Sequence, residues 1–308
     1  MKKSIFILSV IFCVACQKVD DVHNKNADQR GTNEEVYPEN LSDIGYYHNE
    51  ILKNYISISK TPSLLSTNSE SDDFIKLMAD YGTSVCMAYK RNPPAGNIDK
   101  WVGNIINMSL SGRQYSILNN ILNNDMSISA AVNNAYGKEV VPAIVQNYLD
   151  EIDRVVEQYA GTYSFDNQLK LLHLRYIRST TDSNERQLFN YVYYVASGSY
   201  EYWDTQHSTW SPHLSGRFWK DLYNSGRYLL DSDISGAVDY ILGTMIVGAI
   251  MTWKVCVAYA AASSVVAGVE VLLEDFRNKT KSVTVIPNNV TFGEVYDAYL
   301  IRKQELGL

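Results

Sequence analysis

Histidine and cysteine are both scarce in this sequence, which narrows the chemistry open to it. The five histidines are His23, His48, His173, His207 and His213. None belongs to an H-E-x-x-H zinc helix; His48-Asn49-Glu50 lacks the second histidine one turn on. Asp204, His207 and His213 can be drawn as a trio, but their spacing matches no common zinc pattern, so no metal site is expected. Nucleophile elbow, Walker loop and dinucleotide fingerprint are missing too, so no catalytic residue and no cofactor is expected from local motifs. The carboxylates Asp72, Asp73, Asp150, Glu151, Asp153 and Glu157 fit helix N-terminal charge and a solvated helix face. An active site scattered along the chain would leave no such trace, and an enzyme of that kind stays as one alternative.

Basic excess is also lacking. The chain holds 27 Lys and Arg against 34 Asp and Glu, a net charge of −7. That balance argues against nucleic acid as a partner, because binding there rests on neutralising phosphates, and against anionic lipid headgroups as an electrostatic partner. Phenylalanine is sparse at 8 residues while tyrosine reaches 23, which fits a core that uses Tyr where other chains use Phe. With 46% hydrophobic residues the chain can bury a sizeable core. Extended period-two alternation is nearly absent, apart from a short strand-like Val283-Thr284-Val285-Ile286 before Pro287, so the expected class is all-α.

The N-terminus has the character of an export signal. Lys2 and Lys3 head an uncharged, mostly apolar run from Ile5 to Val14, too short to span a bilayer, and Ala15 precedes Cys16. This resembles the bacterial lipobox, with Cys13 standing where Leu is commonest. The resemblance implies a signal peptide over 1–15, cleavage before Cys16, and acylation of that cysteine, several acyl chains together making a stable anchor. Loss of Lys2 and Lys3, in a segment without acids, takes the net charge from −7 to about −9. Gln17-Lys18-Val19-Asp20-Asp21 resembles the acidic export signal of Bacteroidetes surface lipoproteins, which implies an outer-membrane location and exposure at the cell surface. Residues 16–40 are polar and read as a disordered tether. Cys86 and Cys256 would then meet an oxidising compartment, and a disulfide or two buried free thiols both stay open.

From 41 to 308 the periodicity predicts one multi-helix domain. Helices are expected from about 41 and from Asp72, then over 98–109, 112–123, 127–136, 139–160 and 165–178. Asp182-Ser183-Asn184-Glu185 reads as a capping box opening a helix through Tyr202, and His207 to His213 reads as a loop. A helix over about 215–230 follows, and Thr291-Phe292-Gly293-Glu294 opens a terminal one.

The most unusual segment is an apolar run over about 236–273, expected as one long helix at the centre of the fold. Between Ile241 and Val269 its only charge is Lys254, and it is rich in small residues, Gly243, Gly248 and Gly268 among them. Three readings compete: a helix buried by its neighbours, a true membrane span, and a latent membrane-inserting element. Lys254 near the middle opposes a span, since a charge there costs about 2.5–3.5 kcal/mol. If buried, Lys254 must reach solvent or a carboxylate, with Asp239, Glu270 and Glu274 as candidates. Tyr202-Trp203, Trp210, the Ala/Gly-rich run and a short terminal helix loosely resemble a group of Bacteroidetes helical surface proteins, which implies no particular activity. The expectation is a membrane-anchored envelope lipoprotein acting through binding or structure. Its partners would be the membrane, through the anchor, and an envelope or extracellular protein. The main alternative is a pore-forming or antibacterial protein using 236–273.

Overall fold

The computed structural model describes residues 38, 40–65, 69–210, 223–272 and 289–308. Among them lie eleven helices and no strand, so the chain is all-α as its periodicity predicts. They are α1 (Asp43–Ser59), α2 (Glu70–Tyr89), α3 (Ile98–Ser109), α4 (Gly112–Leu122), α5 (Ile128–Tyr136), α6 (Ala143–Tyr159), α7 (Phe165–Ser179), α8 (Ser183–Trp210), α9 (Tyr223–Val247), α10 (Trp253–Leu272) and α11 (Phe292–Glu305). The strand-like Val283–Ile286 lies outside the described residues.

Side-chain caps set several of the boundaries. Ser69, Asn97 and Ser127 each accept from a backbone amide three residues on and open α2, α3 and α5. Thr291 and Glu294 form a full reciprocal capping box at α11. At α8 only half of the expected box forms. Asp182 accepts from the amides of Asn184 and Glu185, but Glu185 turns to the Thr180 hydroxyl instead. Pro142 directly precedes α6, where its missing N–H costs nothing.

Two expectations need correction. The loop at His207 is helical, because α8 runs unbroken to Trp210. Its last turns hold Tyr202, Trp203 and Trp210 in the core, and the indole N–H of Trp210 donates to the Tyr202 hydroxyl at 2.9 Å. Burial of such large rings, roughly 1.5–3 kcal/mol each, outweighs the loop-like composition. The run over 236–273 is not one long helix either. It folds back on itself as a hairpin of α9 and α10, because Gly248 adopts φ +66°. The Gly248 amide donates to Met245 O at 3.2 Å and the Ala249 amide to Thr244 O at 3.0 Å, the paired bonds of a Schellman stop.

That hairpin is the centre of the domain. Every residue from Leu229 to Leu242 and from Cys256 to Val269 is buried. α9 and α10 pack on each other, while α1, α2, α4 and α8 close around them. Small residues allow this density. A Cβ on Gly198 of α8 would stand 2.6 Å from the Cα of Gly45 on α1, so those two backbones touch directly. Cys86 and Cys256 are both buried free thiols, and burial pushes the Cys256 thiol well up.

α11 is latched to the opposite end of α1 by Arg302, itself fully buried. Its Nε donates to Asp80 at 2.7 Å, Nη1 to Pro62 O at 2.7 Å and Nη2 to Ile58 O at 2.8 Å. The guanidinium thus ties α11 to the end of α1, sharing Ile58 O with the amide and hydroxyl of Thr61.

Candidate functional site

The most catalysis-like constellation is His48, Asp233, Ser199 and Trp203. Close contact of Gly45 with Gly198 draws α1 against α8, so that His48 and Ser199 both reach Asp233 on α9. His48 Nε2 lies 3.2 Å from Asp233 Oδ1, close but poorly directed for a hydrogen bond, so the contact is chiefly coulombic. Ser199 Oγ and Trp203 Nε1 donate to the other carboxylate oxygen, the latter at 3.2 Å. His48 Nδ1 meets Asn49 Oδ1 at 3.1 Å. Burial alone would lower the His48 pKa, but the Asp233 carboxylate, with a smaller contribution from Asn49, carries it above the ordinary 6.5.

The arrangement is wrong for a Ser-His-Asp relay. In a relay the imidazole stands between hydroxyl and carboxylate and takes the hydroxyl proton. Here the carboxylate stands in the middle, so the Ser199 proton points to Asp233 and His48 has no access to it. All four side chains are also fully buried, which leaves no approach for a substrate. The cluster satisfies polar groups inside the core and ties three helices together.

A second buried carboxylate, Asp239 on α9, joins three further helices. Arg113 Nε and the Tyr136 hydroxyl donate to Oδ1 at 2.7 and 2.6 Å, and the Tyr259 hydroxyl to Oδ2 at 2.7 Å. Arg113 also stacks over the Tyr136 ring at 4.4 Å. Burial works against the Arg113 charge, yet Asp239 more than offsets it and raises the pKa. Two turns earlier on the same helix, burial and the nearby Asp153 push the Asp231 carboxyl well up, despite its ion pair with Arg227 at 3.3 Å. α9 therefore carries three buried carboxylates, each given a partner by another helix or by its own previous turn.

The residues singled out by sequence do not converge on one place. Cys16 lies outside the described residues. Gly243 on α9 backs the Arg113 guanidinium, and Gly268 on α10 lies against the rings of Trp203 and Trp210. Gly248 forms the turn. Lys254 sits not at the centre of a helix but in the first turn of α10, where its ammonium donates to Asn92 Oδ1 and to the carbonyls of Asn92 and Pro93 at 3.3–3.4 Å. It does not use Asp239, which Arg113 holds; Glu274 and the Glu270 side chain lie outside the description. His207 contacts the Trp203 carbonyl at 3.0 Å, and His213 lies outside the described residues. Among the described residues, no group of three or more His, Cys, Asp or Glu is placed to hold a metal ion.

Sequence reading missed the tip of the hairpin. Ile246, Val247 and Ile250 are 52%, 58% and 77% exposed, around a turn with no charge of its own. The signal was present in Gly248, a helix-stopping residue inside an apolar run, which makes the residues beside it a surface turn. Among the described residues no helix is long and apolar enough to cross a membrane. No family model, curated protein or solved structure matches the chain.

Proposed function

We propose that this is a lipid-anchored cell-envelope protein that acts through binding or structure, held by acylated Cys16 in an outer membrane and turned toward the cell surface. The observation that carries the reading is the run of Lys2-Lys3, the apolar Ile5–Val14 and Ala15-Cys16. The buried clusters among the described residues fit that binding or structural role. The acid-base groups of catalytic type, His48, Ser199 and Asp233, are sealed in the core with the carboxylate in the wrong position, and Asp239 is consumed by Arg113, Tyr136 and Tyr259. The polar stretch from Cys16 to the first described helix then serves as a spacer between bilayer and domain.

The anchor is tested in the producing cell by fractionation. The parent should enter the membrane fraction, processing should stop under globomycin, and Cys16→Ala should release the protein from the membrane. A Cys16→Ala chain still membrane-bound after its signal is removed would sink the proposal. Insertion of the hairpin as a pore is a weaker reading, because α9 would carry Asp231, Asp233 and Asp239 with it. Each would cost about 2.5–3.5 kcal/mol at mid-bilayer once separated from its partners.

A further inference from the structure

We propose that the pole of the domain formed by the α9–α10 turn is a docking face for an anionic lipid surface, with Ile246, Val247 and Ile250 entering the interface. This deepens the anchor reading and, for its orientation, rests on it. Among the described residues nothing covers these aliphatic side chains, clustered at a turn between two buried helices, and an apolar environment outside the domain would.

Two other elements share that pole. Tyr47 stacks on Tyr89 at 4.7 Å and lies 5.5 Å from Trp253, which sets the first turn of α1 beside the first turn of α10. Tyr46, 57% exposed on that same turn, adds an amphipathic ring of the kind favoured at headgroup depth. The Lys254 bonds to Asn92 and Pro93 bring in the end of α2, where Lys90 and Arg91 are exposed. The stretches that meet beside the tip, residues 89–93 and 245–254, contain Lys90, Arg91 and Lys254 and no acid, although the whole chain is acidic. Asp43 in the first turn of α1 is the nearest acid on the incoming chain. The local charge therefore suits anionic headgroups where the global charge does not.

The chain itself supplies the orientation. α1 begins at this pole, so residues running back toward Cys16 leave the domain on the side of the apolar tip. If the stretch between Cys16 and Pro38 is the tether its composition predicts, it would span about 26 Å, short enough to keep this pole toward a bilayer that holds Cys16.

The test uses the chain from residue 17 onward, which retains every described residue and lacks both the signal and the lipid. It is sedimented with vesicles of phosphatidylcholine, alone or with about one-third phosphatidylglycerol. The parent should partition onto the anionic vesicles. The triple variant Ile246→Ser, Val247→Ser, Ile250→Ser should lose at least about tenfold in partitioning with its thermal melt unchanged, since all three side chains are exposed. Lys90→Gln with Arg91→Gln should remove the preference for anionic over zwitterionic vesicles. No partitioning by the parent, or equal partitioning by the triple variant, overturns the proposal. So does a triple variant that loses only concentration-dependent self-association, which would make the tip a contact between copies. Acylation of Cys16 is read separately in cells, so failure of the anchor leaves the vesicle result standing on its own.

Discussion

Replacement of Asp233 by alanine should be among the most destabilising single changes in this protein. The carboxylate receives Ser199 Oγ and Trp203 Nε1 and faces His48 at 3.2 Å, all inside the core. Removing it orphans two donors and a charged or donating imidazole at once. Breaking a buried pair from one side costs about 3–5 kcal/mol, a large share of the roughly 5–15 kcal/mol that holds a domain together. Asp233→Asn should behave differently. Its amide oxygen can still accept from Ser199 and Trp203, and its N–H can donate to a neutral His48 whose Nδ1–H donates to Asn49. The expected cost is about 1 kcal/mol. The two variants also differ in pH dependence. Because His48 is raised above 6.5 in the fold, its stabilisation is complete below that value and is lost as pH climbs through the folded pKa. Asp233→Asn removes that contribution, so the stability gap between parent and Asn variant should close as pH rises from slightly acid to alkaline. Urea unfolding followed by far-UV circular dichroism across that range measures both effects. A loss under about 1 kcal/mol for alanine, or equal losses for alanine and asparagine, would refute the account of the cluster.

Gly248→Ala should cost about 1–2 kcal/mol through its left-handed φ of +66°, with nothing for the new methyl to strike, and Gly248→Asn less; equal melting of both variants would contradict this. Gly198→Ala meets the α1 backbone at 2.6 Å and should cost about 1–3 kcal/mol, whereas Gly112→Ala, with open space around it, should be neutral or slightly stabilising in the same denaturation assay. Burial holds the His173 pKa down at about 4, only partly offset by a bond to the Phe189 backbone, so this group makes stability rise with pH from about 4 to 6.5. That fall corresponds to at most about 3 kcal/mol, reduced to about 1–2 kcal/mol by solvent at the ring edge. His173→Phe, which keeps the stack on Tyr193, should flatten that part of the stability profile, and an unchanged slope would count against it.

The helices were legible wherever local chemistry marks their ends. Ser127 and Thr291 sit at real boundaries, Pro142 stands just before α6 rather than inside a helix from 139, and the apolar stripe of α6 through Tyr148, Ile152 and Val156 is the stripe the fold buries. Errors came where a local signal was outweighed or overlooked. The loop-like composition at His207–Trp210 is overridden by burial of aromatic rings, and Gly248 was read as a small packing residue rather than a stop. The buried cluster was beyond reach for a different reason. His48, Ser199 and Asp233 come from three helices far apart in the chain, and nothing in their spacing announces that they meet. A sign was still present on α9, where Asp233 and Asp239 stand among apolar and small residues with no basic residue within a turn and demand partners from elsewhere.

Mass spectrometry of the N-terminal peptide of the membrane-extracted protein tests most directly the proposal that this domain hangs from a membrane by a lipid on Cys16. The account predicts a chain beginning at residue 16 with a diacylglyceryl group on the cysteine sulfur. A chain beginning at Met1, or cleaved elsewhere and carrying an unmodified Cys16, would contradict it.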